Sequence, residues 1–217
     1  MIVRIVKLAH LADGQSGLIT GVQARGAGVT DSELEGLVDA GLLEQVIPGV
    51  VRMRAGGRHP FPRQFARWLL LEPHLPASQR SLPAAGVVAG ATALRIYKLV
   101  DLPGPTEITT VGTSNLSQVP ETVVTAGSLD AGDWKTVDGL PVVVAGRAFT
   151  DVVGSGRLDP IDLGRIAARI LQSGLADDEE LATRLEKTRV ATGRDGDGRS
   201  WLTGLLASSD EASAAGA

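Results

Sequence analysis

The residues of this 217-residue chain with the clearest chemical signature are arginines. Arg52, Arg54, Arg58, Arg63 and Arg67 lie between Gln45 and Leu71, a stretch that contains no Asp or Glu. Guanidinium groups at that density, with no carboxylate beside them in sequence, make a surface that attracts phosphate. Gln23 and Arg25 complete the candidate DNA-contacting set of Gln23, Arg25, Arg52, Arg54, Arg58 and Arg63. If Arg25, Arg52, Arg54, Arg58 and Arg63 each met a phosphate, log affinity against log salt would slope by about −4.5 per protomer.

Other chemistry is sparse. Arg147 and Asp151 stand four residues apart, the spacing of an ion pair along a helix. Asp195-Gly-Asp197-Gly198 offers two carboxylates to a hard cation but reads more simply as a turn. His10, His59 and His74 are far apart in sequence and read as surface or packed residues. Cysteine is absent, which removes disulfides, thiolate-bound zinc, iron–sulfur clusters and thiol catalysis together. No phosphate-binding loop, dinucleotide fingerprint, nucleophile elbow or His-Glu-x-x-His pair occurs. Phosphoryl transfer would need a nucleotide cradle, a metal-holding carboxylate and a base. Lys98, Lys135, arginines and scattered carboxylates are its only raw material here. No catalytic residue, metal or cofactor is therefore assigned.

These residues need elements to position them. Apolar residues recur at helical spacing through the first twelve residues, and Asp13-Gly14 ends that segment. Thr20-Gly-Val-Gln23 and Thr30-Asp-Ser-Glu33 each fit a capping box, in which hydroxyl and carbonyl oxygens satisfy free N–H groups at a helix start. Two starts ten residues apart, around Gly26-Ala27-Gly28, have helix-turn-helix spacing. Val29, Leu34, Leu37 and Val38 give the second helix an apolar face, and Gly41 supplies its left-handed stop. Apolar runs at 43–47 and 50–53 then flank Pro48-Gly49, a strand–turn–strand wing. The second helix, which would enter the major groove, carries Asp31, Glu33, Glu35 and Asp39 and no base, so phosphate attraction must come from elsewhere.

Beyond Pro60-Phe61-Pro62, Phe61, Phe65, Trp68 and Leu69 follow at helical spacing as candidate core. Residues 86–99 read as a second helix, and 107–111, 121–126 and 134–144 as extended runs, the last broken by the hairpin dipeptide Asp138-Gly139. Helices at 160–171 and 177–185 follow, and a Ser/Ala/Gly-rich end reads as a frayed tail. The expected fold is α+β: a winged helix-turn-helix over 1–59, a larger α+β domain over 60–206 with a small mixed sheet covered by helices, and a flexible tail over 207–217. The net charge of −4 averages the arginine stretch with acidic surroundings. No apolar run approaches membrane-spanning length, and the chain reads as cytoplasmic.

Several segments resemble one family. Residues 17–24, the Gly-Val-Thr opening of the next helix, Gly41-Leu-Leu-Glu44 and Ile47-Pro-Gly-Val-Val-Arg52 resemble the N-terminal winged helix of AbiEi-type antitoxins of bacterial type IV, abortive-infection toxin–antitoxin systems. Residues 90–99 resemble that family's Ala-Leu helix, and 139–152 its strand followed by an Arg-Thr-x-x-Asp helix start. The Arg and Tyr that usually end the wing are missing, the recognition helix is acidic, and Ala148-Phe149 interrupts the Arg-Thr pair. The resemblance implies an antitoxin that represses its own operon by binding operator DNA and neutralises a nucleotidyltransferase toxin, with Arg147, Thr150 and Asp151 as toxin-neutralising residues. Two alternatives are an enzyme inactivating the toxin by phosphoryl transfer and a toxin-binding scaffold without DNA binding. The oligomeric state is open.

Overall fold

A computed structural model describes the backbone of residues 2–56, 58–111 and 118–215, with side chains from residue 3 to 211 within those ranges. The first elements are α1 (Ile2–Asp13), β1 (Leu18–Thr20), α2 (Gly21–Gly26), α3 (Asp31–Asp39), β2 (Leu43–Ile47) and β3 (Val50–Met53). Both capping boxes form: Thr20 with Gln23 opens α2, and Thr30 with Glu33 opens α3. Gly41 takes a φ of 71°, so the chain leaves α3 through a conformation that side chains resist. Leu8, Ala12, Ile19, Ala24, Val29, Leu37, Leu43 and Val51 bury themselves in one apolar cluster. Three antiparallel strands in the order β1-β3-β2 close the winged helix, so β3 is central and the expected hairpin has a third strand.

After α4 (Pro62–Leu71) the chain forms β4 (Val87–Val88), α5 (Gly90–Ile96), β5 (Thr106–Thr110) and β6 (Thr122–Ala126). It continues with β7 (Trp134–Val137), β8 (Leu140–Val143), α6 (Ala145–Ser155), α7 (Pro160–Gln172), α8 (Asp178–Thr192) and α9 (Gly198–Ala215). A mixed sheet runs β6-β5-β4-β8-β7, with Val88 paired in parallel to Val142. The helix expected over 86–99 therefore begins later, because Val87 and Val88 are taken by the sheet. Asp138 and Gly139 both adopt positive φ, the two-residue turn their types favour between β7 and β8.

Compactness divides the chain into two units, residues 1–87 with 108–129 and 136–141, and residues 88–107 with 130–135 and 142–217. The unit holding the winged helix continues past residue 60 for a physical reason. Phe65, Trp68 and Leu69 of α4 are buried. The Gln23 amide donates to the Leu75 carbonyl at 3.0 Å, and the Ala77 N–H donates to Gln15 Oε1 at 3.0 Å. Residues 207–215, read from sequence as part of a flexible tail, continue α9. Ser209 is buried there, and a Cβ added at Gly164 of α7 would overlap the Leu205 carbonyl, so only glycine admits this approach.

Candidate nucleic-acid interface and a half-buried ion-pair network

The candidate DNA-contacting residues separate into two groups. Arg25, Arg54, Arg58 and Arg63 are exposed. Arg25 pairs with Asp31 at 2.8 Å, and Arg54, 60% exposed, lies 4.0 Å from Glu44. Gln23 and Arg52 are interior residues, which corrects their assignment as DNA contacts. The Gln23 carbonyl oxygen accepts the Thr20 N–H and the Gln15 amide, while its own amide donates to Gln15 and Leu75. Every one of its strong hydrogen-bonding groups is occupied. Arg52 has a side chain only 7% exposed, sits opposite Glu44 and Leu18 in the sheet, and pairs with Glu44 at 2.7 Å. Arg67 is turned inward too, pairing with Glu121.

On α3, local chemistry explains half of the acids. The Thr30 backbone N–H donates to Glu33, holding that carboxyl below its ordinary range, and Arg4 pairs with it. Asp31 faces Arg25 and also favours the positive start of the helix. Glu35 and Asp39 are exposed, with no ion pair among the described residues.

In the second unit Arg147, Thr150 and Asp151 lie on α6, within a network that sequence spacing only partly revealed. Arg147 Nε donates to Asp151 at 2.8 Å, the expected one-turn pair, and Arg147 Nη1 reaches Asp133 at 3.3 Å. Arg184 of α8 binds the other Asp133 oxygen at 2.8 Å and Glu180 at 2.9 Å. Burial alone would raise the Asp133 carboxyl, but the bonds from Arg184 and the Asp130 backbone hold it below the usual value. Burial dominates at Asp151 and pushes its carboxyl up despite Arg147. The Thr150 hydroxyl donates to the Arg147 carbonyl at 3.0 Å and is buried, so it presents nothing outward. The network locks α6, α8 and the segment before β7 together. Arg184–Glu180 was discoverable from its i,i+4 spacing; Asp133, fifty-one residues from Arg184, was not.

The remaining candidates are structural. His59 is buried, bonded to the Asp138 carbonyl at 2.7 Å and accepting the Phe61 N–H at 2.9 Å. Asp197 accepts the Ser200 N–H and hydroxyl at the start of α9. No group of three His, Cys, Asp or Glu among the described residues is placed to hold a metal ion, and no helix there is long and apolar enough to cross a membrane.

A helix–turn–helix followed by an antiparallel wing, closed by a short strand, defines the N-terminal elements as a winged helix-turn-helix. Residues 6–54 match the family described as "Transcriptional regulator, AbiEi antitoxin", so this segment is similar to that family. The fold is similar over 95% of this chain to the crystal structure of the RV2827C protein from Mycobacterium tuberculosis. That likeness has a TM-score of 0.52 and 18% identity and covers 77% of the other chain. Among curated proteins, none matches.

Proposed function

We propose that this chain is an antitoxin that binds operator DNA through its winged helix, represses its own operon and neutralises a nucleotidyltransferase toxin. The observation that carries the reading is the AbiEi match over 6–54 on a winged helix that, with the start of α4, presents four exposed arginines, Arg25, Arg54, Arg58 and Arg63. Phosphate contact falls to these four, with the acidic α3 contributing no cation. Neutralisation is assigned to the second unit, where the Arg147–Asp133–Arg184 network fixes the α6 and α8 surfaces and acts as positioning machinery. A mobility-shift titration on the DNA upstream of the gene tests the first half. Binding that weakens with salt and is lost in Arg54→Glu/Arg58→Glu supports it; binding indifferent to both refutes it. Growth rescue on co-expression with the neighbouring toxin tests the second half, and an absence of rescue refutes that half alone.

A further inference from the structure

The face of the winged helix that would read bases is a groove of about 400 Å³ between α3, the start of α2 and strands β2 and β3. Its floor is apolar: Leu34 and Val38 are half-buried, and Val50 and Val51 are buried. Its rim carries Asp31, Glu35 and Asp39, spaced by four residues along one stripe of α3. Arg25 is the one cation among the lining residues, already engaged by Asp31. Three acids against one base leave the groove with a charge of −2.

The fold's own needs do not account for this. Capping explains Glu33, and the helix start favours Asp31, but Glu35 and Asp39 have neither role. Asp39 is the last residue of α3, where the helix dipole disfavours an acid by about 0.3–1 kcal/mol. A phosphate backbone lowered onto this stripe meets repulsion instead of the counter-charge it needs. A groove with an apolar floor and a free acidic rim has the complement of a protein segment bearing leucine-like side chains beside Lys or Arg.

We propose that the α3–wing groove is a docking site for a basic, apolar-faced segment of a partner protein, with Glu35 and Asp39 meeting its cations. The site shares Arg25 with the DNA-contacting set but does not use Arg54, Arg58 or Arg63, and it holds whether or not operator binding does.

The test uses the full chain labelled with ¹⁵N and a synthetic amphipathic peptide with two arginines four residues apart between leucines. A counterpart with glutamates in place of the arginines is the control. The arginine peptide is expected to shift the amide signals of Leu34, Val38, Gln45 and Val50 saturably. Glu35→Lys/Asp39→Lys, which alters only exposed side chains, should weaken that binding about tenfold without lowering Tm. No shifts, shifts centred elsewhere, or equal binding of the glutamate peptide or by the variant would overturn the proposal. A second arm measures operator affinity of Glu35→Gln/Asp39→Asn. Unchanged or tighter DNA binding supports the protein-docking role. Weaker binding means that these carboxylates accept hydrogen bonds from cytosine amino groups, and it overturns the proposal.

Discussion

Two arginines two residues apart on the wing should respond in opposite ways to the same truncation. Arg54 is 60% exposed and loosely placed at 4.0 Å from Glu44, whereas Arg52 is 7% exposed and held by that same carboxylate at 2.7 Å. With Arg25, Arg54, Arg58 and Arg63 as the phosphate-facing set, the salt slope of operator binding is about −3.6, shallower than the value expected with Arg52 included. Arg54→Ala should reduce it by about 0.9 and leave stability alone, because Arg52 still holds Glu44. Arg52→Ala should leave the slope unchanged and strand Glu44 without its close partner. Breaking a fully buried pair costs about 3–5 kcal/mol, but Glu44 is a third exposed and can turn toward water, so about 2 kcal/mol is expected here. For a chain of this size that lowers Tm by about 4–8 °C. Fluorescence anisotropy with labelled upstream DNA across a salt series gives the slope, and calorimetry gives Tm. A reduced slope with an intact Tm in Arg52→Ala would refute the assignment of Arg52 to the interior.

Three further outcomes follow from the interior contacts. His59 has its proton affinity lowered mainly by burial, so between the ordinary value of 6.5 and the lower folded value the unfolded chain binds more protons. Stability should therefore fall as pH falls through that window, and His59→Gln should flatten the profile in urea titrations from about pH 7 to pH 5. Asp133 is depressed by its arginines, so its contribution is present above the ordinary carboxylate value and lost as pH drops through the folded one. Asp133→Asn should cost about 2 kcal/mol at neutral pH and progressively less as pH falls below the ordinary carboxylate value, measured by the same titrations. Gly164→Ala places a methyl group against the Leu205 carbonyl. It should destabilise by about 1–3 kcal/mol and raise hydrogen exchange along α9, and exchange unchanged from wild type would count against the close α7–α9 approach.

What the sequence made legible was what local chemistry decides. Thr20/Gln23 and Thr30/Glu33 were readable because a capping box needs only residues three apart, and both formed as expected. Asp138-Gly139 was readable for the same reason. Strands of two or three residues were not: β1 and β4 are too short to show alternation, and they exist because neighbouring strands complete them. The end of α9 was misread because a run of Ser, Ala and Gly shows little apolar periodicity, while its packing depends on Gly164 of α7, whose lack of a side chain lets Leu205 and Ser209 come close. Among site residues, the Arg147–Asp151 pair was legible from spacing, and its joining to Asp133 and Arg184 depends on tertiary contact.

The missed strand β1 also explains why arginine density overstated the DNA-contacting face. Read as a bare hairpin, residues 43–53 leave β3 an edge strand, whose cations could turn freely toward phosphate. With β1 bonded to its other side, β3 becomes central, and Arg52 is flanked by Leu18 and Glu44 at its own register. A guanidinium in that position must be paired, and Glu44 on the adjacent strand supplies the carboxylate. Beyond the end of β3 at Met53 the side chains of Arg54 and Arg58 become exposed, although the Arg54 N–H still donates to the Leu42 carbonyl at 3.1 Å. The counter-charge that is absent from the arginine stretch in sequence is therefore present in space, contributed by Glu44 from one residue before it and by Glu121 from far along the chain. Charge blocks mark where phosphate could be met, and strand order decides which of their members can reach it.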